Sequence, residues 1–278
     1  MDLSIIIVSW RVKEKLRANL AALFQSETSF KYEVIVIDND SGDGSVEMVR
    51  AEFSSVRLIV NSANLGFAKA NNQAIKQAAG KFILLLNPDM LVEAGTIEKM
   101  FIWALANPQA TVSGCKLLST DGKIVAQVRR FPRLFDQLMI IGKLPHIFPG
   151  AVKKYLCAGF DYDKAARVDS IRGAFFLINT DSYHKIGGAG QPLLDERYFI
   201  WFEEVDFCRQ IYKLGGEVWY TPAAVCHDEV GASFRQVELS VKQGYFRASM
   251  LAYFQKWEPR WQAAILEAAW RLVGVFIK

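Results

Sequence analysis

Cysteine is scarce in this chain, and its spacing is uninformative: Cys115, Cys157, Cys208 and Cys226 form no C-x-x-C pair. A zinc knuckle is therefore not indicated, and the four read as free thiols in a reducing cytoplasm. No run of about 18 apolar residues occurs, so no transmembrane helix is expected. The opening Met1-Asp2-Leu3-Ser4 lacks the charged and apolar regions of a secretory signal. Glycine and proline are not enriched, which argues against long disordered stretches. Three signatures are also missing. No G-x-G-x-x-G follows the first apolar run, which disfavours a Rossmann dinucleotide fold. No G-x-x-x-x-G-K-[ST] is present, so this is not a P-loop protein. No G-x-S-x-G is present, which disfavours an α/β-hydrolase.

The 278 residues are 51% hydrophobic and 22% charged, enough for one large domain or two tightly joined halves. The net charge of +4 is mild, but its distribution is not even. Lys123, Arg129, Arg130, Arg133, Lys143, Lys153 and Lys154 surround the single acid Asp136. Such an excess is either a solvated loop or a surface for an anionic partner: diphosphate, lipid headgroup or nucleic acid.

Leu3 to Val8 is a β-branched run that reads as a buried strand, and Val12 to Leu23 has helical spacing. Glu33 to Ile37, Val56 to Val60 and Phe82 to Leu86 read as further strands. Ser45 is placed to cap a short helix, and Phe67 to Ala79 reads as a helix closed by Gly80. This alternation predicts a mainly parallel sheet covered by helices, with ligands bound past the carboxyl ends of its strands. Polar clusters stand at those ends. The second half is less regular. Arg172 to Asn179 reads as a strand and Phe202 to Leu214 as a helix. Val218 to Tyr220 and Ala224 to Cys226 read as short strands split by Pro222. Phe234 to Trp257 reads as a long helix. Trp261 to Lys278 is amphipathic, with Ile265, Leu266, Trp270, Val273 and Ile277 on its apolar face.

Five clusters can carry chemistry. Asp38-Asn39-Asp40-Ser41-Gly42-Asp43-Gly44-Ser45 follows a buried strand. A carboxylate there can accept the imide N–H of a uracil or thymine ring, and the same residues also make an Asx turn. Asn64-Leu65-Gly66-Phe67-Ala68 contains a glycine that permits close backbone approach. Asn72 stands in a helix interior that disfavours asparagine, so a specific partner is expected. Asn87-Pro88-Asp89 ends a buried strand, where a carboxylate can hold a divalent metal or simply form a turn. Glu203, Glu204 and Asp206 place three acids in four residues after the run Tyr198-Phe199-Ile200-Trp201-Phe202. Carboxylates packed beside apolar rings have raised pKa values, which suits a general base, although acids also favour a helix N-terminus. His227 ends a short strand and gains a role only if it converges with Asp89.

In this order, Ser4 to Trp10, Ile37 to Ser45, Asn64 to Ala68, Leu86 to Asp89, Gly173 to Phe176 and Phe202 to Asp206 resemble the inverting glycosyltransferases of family 2, from about Leu3 to Ser233. Within that family the chain is most similar to the rhamnosyltransferase branch of cell-wall and O-antigen assembly, which carries the Asn-Pro-Asp form. The resemblance implies a GT-A fold, an α/β architecture with a mixed, mainly parallel sheet. Residues 1–233 would form the transferase domain, with nucleotide binding in 1–118 and acceptor binding in 119–233, followed by a helical extension over 234–278. It implies that Ser9, Asp38, Asn39, Asp40, Asn64, Gly66, Asn72 and Asn87 line the nucleotide site. It also implies that Asp89 and His227 hold a divalent cation, Mn²⁺ or Mg²⁺, and that Glu204, with Glu203 and Asp206 beside it, supplies the base. Here Glu204 stands where the family usually has Asp, and Asn87 replaces the first Asp of the commoner metal motif. The implied partners are a nucleotide-sugar donor (dTDP-rhamnose or a UDP-sugar) and a glycan or polyprenyl-diphosphate-linked acceptor, with no nucleic acid. The basic segment and the amphipathic C-terminus further predict a cytoplasmic enzyme peripheral on an anionic membrane surface. A sugar nucleotidyltransferase would want glycine after the first strand, where Ser9-Trp10-Arg11-Val12 has none. A non-catalytic sugar-nucleotide-binding protein would leave the three acids beside the aromatic run unexplained.

Overall fold

The computed structural model describes residues 1–228 and 237–275. The first half alternates as its apolar runs dictate. β1 (Leu3–Ser9), α1 (Lys13–Gln25), β2 (Tyr32–Asp38), α2 (Ser45–Glu52), β3 (Arg57–Val60), α3 (Phe67–Ile75) and β4 (Phe82–Leu86) follow one another. Next come β5 (Met90–Val92), α4 (Thr96–Ala106) and β6 (Ala110–Leu118). The second half holds α5 (Leu134–Ile141), β7 (Ala166–Val168), β8 (Phe175–Asn179), α6 (Thr180–Lys185), α7 (Glu203–Lys213), β9 (Glu217–Asp228), α8 (Leu239–Trp257) and α9 (Arg260–Val275). Among the described residues the sheet has nine strands, ordered β3-β2-β1-β4-β8-β6-β9-β5, with β7 also on β9. β1 pairs in parallel with β2 and β4, and β2 with β3, whereas β8 enters antiparallel to both β4 and β6.

Both faces of the sheet are covered, so its central strands are apolar without alternation. Leu3, Ile5, Ile7, Val34, Val36 and Leu84 pack beneath α1, α2 and α4. Ile6, Ile35, Ile37, Ile83 and Leu85 pack beneath α3 and α7.

Several local readings are refined. Helix α3 stops at Ile75 rather than Ala79, and Gly80 is not its cap. A Cβ on Gly80 would lie 2.4 Å from the Ser4 amide nitrogen, so the glycine lets the chain pass against β1. Ser45 opens α2, but the capping side chain is that of Asp43. Its Oδ1 accepts from the Ser45 amide at 3.0 Å, and its Oδ2 accepts from the Lys13 amide at the start of α1. β9 runs unbroken through Pro222, because the register against β6 shifts between Gly114 and Lys116 and leaves the proline outside the ladder. Its pairing partner β6, long and buried, was not singled out in the sequence. Within the described residues the long helix begins at Leu239; the expected start at Phe234 and the end of the C-terminal segment lie outside them.

A third core joins the basic segment to the C-terminal helices. Leu134, Leu138 and Ile141 of α5 pack with Ala263, Leu266, Ala269, Trp270 and Val273 of α9 and with Met250, Tyr253 and Phe254 of α8. Ile265, expected on the buried face, is exposed. One carboxylate fastens this layer to the sheet domain. Asp206 of α7 is fully buried and accepts from the Tyr198 hydroxyl (3.1 Å), Gln210 Nε2 (2.6 Å), Lys256 Nζ (2.7 Å) and Trp257 Nε1 (2.5 Å). Asp206→Ala removes the acceptor of Tyr198, Gln210 and Trp257 and leaves the Lys256 ammonium with only its second carboxylate, Asp195, at 2.9 Å. The substitution is expected to lower stability by about 3 kcal/mol in urea denaturation; a loss too small to measure would remove Asp206 from this anchoring role.

Candidate active site

Parallel β1, β2, β3 and β4 end along one edge of the sheet, and the polar clusters gather there. Asn39, just past β2, organises this edge. Its Oδ1 accepts from Asn61 Nδ2 and from the Leu65 amide, both at 3.0 Å, and its Nδ2 donates to Asn64 Oδ1 at 2.8 Å. Gly66 follows at φ +80°, and a Cβ there would sit 2.4 Å from the Phe199 carbonyl oxygen. The Phe67 amide donates to that same oxygen at 2.6 Å, so only glycine lets the loop close on Phe199. The result is a cleft of about 360 Å³ with Asn39, Asn64, Asn87, Asp89, Arg172 and Trp201 among its walls.

Asp89 stands at the floor of this edge, 7% exposed, with no partner for its Oδ1. Burial, and then the charge of Asp228, push its carboxyl up to about 6, with Lys15 and Arg172 partly offsetting. Asp228, last residue of β9, is itself buried; its pKa is raised by burial and lowered by Arg172, whose Nη1 lies 2.9 Å from its Oδ2. Antiparallel β8 explains the arrival of Arg172: the chain enters β8 from the edge where β4 ends, and the Asn87 amide donates to Ala174 O at 2.9 Å. Neighbouring residues on a strand point to opposite faces. His227 therefore turns away from Asp228, with its Nε2 2.7 Å from Glu93 Oε1. The structure brings Asp228 rather than His227 to Asp89. The sequence signal for Asp228 was the alternation of buried Ala224, Cys226 and Asp228 along the strand.

Two buried carboxylates with unpartnered oxygens, which Lys15 and Arg172 offset only in part, fit a divalent cation, which prefers hard oxygen ligands. Among the described residues no group of three or more His, Cys, Asp or Glu forms a full ligand set. Phosphate oxygens and water would have to complete the coordination, as is usual for Mg²⁺.

The acid run behaves as three separate groups. Trp201 and Phe202 both adopt left-handed backbone angles, φ +65° and +70°, uncommon for bulky side chains, and this turn aims the start of α7. Glu203 is buried; burial and then the Glu204 charge hold its carboxyl well above the usual range. Glu204 is also raised by burial, with Arg172 pulling it back. Glu204 lines a second cleft of about 330 Å³, and Arg172 and Trp201 belong to the walls of both clefts. Asp206 points away into its own set of four donors.

The remaining candidates spread around this centre. Asp38 is buried; its Oδ2 accepts from the Ser41 amide at 3.1 Å, and its Oδ1 has no partner. With Asp40 it faces an open cleft of about 400 Å³ between α2 and the end of β3. Ser9 is buried, with an unpartnered Oγ. Asn72 has its expected partner, but a distant one. Its amide bonds the Leu194 amide and carbonyl and Glu196 Oε1, tying α3 to the strand of chain before Tyr198.

A model of the family described as glycosyl transferase family 2 matches residues 4–151. The N-acetylglucosaminyl-diphospho-decaprenol L-rhamnosyltransferase of Mycobacterium tuberculosis is 26% identical over 247 residues, 84% of this chain and 78% of that protein. The UDP-Glc:alpha-D-GlcNAc-diphosphoundecaprenol beta-1,3-glucosyltransferase WfgD of Escherichia coli is 27% identical over 125 residues, 45% of this chain and 49% of that one. Among solved structures, the mannosyltransferase PcManGT from Pyrobaculum calidifontis in complex with GDP-Man and Mn2+ superposes with a TM-score of 0.58 at 16% identity, covering 97% of this chain and 69% of that one. S. aureus TarS 1-349 in complex with UDP gives 0.58 at 15% identity, covering 97% and 70%. The shared architecture is the GT-A fold.

The electrostatics of Asp89 set a pH dependence. A carboxyl whose pKa rises from 3.8 to about 6 on folding favours the native state while protonated, and that contribution is lost as pH climbs through 6. In metal-free protein, Asp89→Asn is expected to match the wild type near pH 4 and to exceed it by about 3 kcal/mol at pH 7. Urea titrations in EDTA at both pH values measure this; a pH-independent difference would refute the shift.

Proposed function

Because the chain belongs to glycosyl transferase family 2, we propose that it transfers a sugar with inversion from a nucleotide-sugar donor, dTDP-rhamnose or a UDP-sugar, to a hydroxyl of a glycan or polyprenyl-diphosphate-linked glycan. The observation that carries this reading is the meeting of two clefts at Arg172 and Trp201, with Asp89 and Asp228 on one side and Glu204 on the other. The activities of the mycobacterial and E. coli relatives, both on diphosphate-linked polyprenol acceptors, support the acceptor class.

In this reading the donor lies along the carboxyl edge of the sheet. Asp38, through its unpartnered Oδ1, accepts from the nucleobase; Asn39, Asn64 and Gly66 shape the cleft wall. Asp89 and Asp228 would hold a divalent cation, Mn²⁺ or Mg²⁺, which would supply positive charge against the departing diphosphate. The complex of the Pyrobaculum neighbour with Mn2+ supports that choice. The acceptor occupies the second cleft and presents its hydroxyl to Glu204. Glu204 takes the proton while the oxygen attacks the anomeric carbon from the face opposite the nucleotide. Burial raises the Glu204 pKa, which makes its carboxylate a stronger base than an exposed one. One displacement inverts the centre with no covalent sugar–enzyme intermediate. A lipid-borne acceptor places the enzyme on the cytoplasmic side of an anionic membrane.

Nucleotide release from dTDP-rhamnose and UDP-sugars, with Mn²⁺ and with EDTA, tests the donor and the metal together. Glu204→Gln is expected to retain donor affinity while kcat falls about 10²-fold or more. Near-normal turnover in that variant would move the base elsewhere.

A further inference from the structure

We propose that a third cleft, opening beyond Glu204, seats the diphosphate of the acceptor. The proposal rests on the glycosyltransferase reading above for its substrate, but its chemistry stands in the structure. The cleft measures about 310 Å³ and shares the wall residue Tyr155 with the cleft that holds Glu204. The three clefts therefore adjoin in series, with the Glu204 cleft sharing walls with each of the other two.

Charge marks the basic end. Arg130, Arg133, Lys154, Arg209 and Lys213 line it against Asp136, Asp169 and Glu258. The acids are largely committed. Glu258 pairs with Arg209 at 2.7 Å, and Asp169 lies 3.9 Å from Arg130. Asp136 caps α5 by accepting from the Arg133 amide at 3.2 Å. Lys213 Nζ lies over the Trp257 ring at 4.7 Å rather than against an acid. Among the described residues Arg133 and Lys154 make no ion pair at all. Unneutralised cations around one concavity favour an anion with several oxygens, and a diphosphate offers charge-assisted hydrogen bonds to each. The donor's own diphosphate is not the occupant, because its leaving group belongs beside Asp89 and Asp228 on the far side of Glu204.

The surroundings fit what a lipid-linked diphosphate would need next. Phe135, Ile147 and Phe148 are 60%, 69% and 59% exposed on the same stretch of chain that supplies Arg133 and Lys154. The sugar would reach toward Glu204, the phosphates would rest on the cations, and the hydrocarbon would leave along this ridge.

Calorimetric titration of the full-length, metal-free protein with inorganic pyrophosphate tests the seat without turnover. Arg133 and Lys154 are exposed, so the double variant Arg133→Ala/Lys154→Ala is expected to fold normally. It should bind pyrophosphate about tenfold or more weakly, since each lost charge-assisted contact is a sizeable part of a weak affinity. Asp89→Asn should bind it as the wild type does. In turnover, the double variant should raise KM for a diphosphate-linked sugar relative to KM for the octyl glycoside of the same sugar. Unchanged pyrophosphate affinity in the double variant overturns the proposal. So does a variant that keeps pyrophosphate affinity yet loses binding to phosphatidylglycerol vesicles, since the cations would then serve lipid headgroups. Failure of all donors to react would sink the transferase reading while leaving the pyrophosphate result intact.

Discussion

Burial of the sheet on both faces is the constraint from which the rest follows. β1, β2 and β4 run between two helical layers, and a charge placed within them would be stripped of water on either side. The polar clusters of the first half stand where its strands stop. Asp38 and Asp89 mark two of those stops. The antiparallel entry of β8 and the far end of β9 deliver Arg172 and Asp228 to the same edge from the second half of the chain. A single geometric rule thus gathers residues more than a hundred positions apart.

Carboxylates gathered this way are held out of water without full compensation. Oxygens of Asp38, Asp89, Asp228, Glu203 and Glu204 lack hydrogen-bond partners, whereas Asp206, a few residues along the same helix as Glu204, is saturated with donors. The contrast separates two uses of one residue type. An unsatisfied buried carboxylate costs stability and is poised for a cation, a base edge or a proton; a satisfied one is an anchor. The left-handed pair Trp201–Phe202 belongs with the first kind, because it spends backbone strain to aim Glu204 beside Arg172.

Much of this was legible beforehand. The first four strands followed from β-branched runs, and the fold class from their alternation with helices. The cluster after each strand stands at the carboxyl edge, where the structure forms a cleft. What escaped had physical reasons. β6 packs between β8 and β9 and carries Ser113, Gly114 and Lys116, so its apolar signal is diluted. Pro222 looked like a strand break because the shift in register opposite it is a tertiary feature. Asn72 was noticed as out of place, yet its partner lies more than a hundred residues away. Asp206 and Glu204 share one short acidic run, and only three-dimensional packing tells the donor-saturated carboxylate from the unpartnered one. Asp228 sat beside the more conspicuous His227, and strand parity decides between them.

The bonds of Asp206 to Lys256 and Trp257 carry a consequence for how the molecule can be divided. The segment recognisable as the family, residues 4–151, contains neither Arg172, Glu204 nor Asp228. The helix that bears Glu204 is clamped from behind by the last turn of α8, which α9 in turn covers. The C-terminal helices are therefore not an appendage that can be trimmed from a self-sufficient enzyme. Loosening of α9 would reach α7 through α8, so these three helices belong to one cooperative unit.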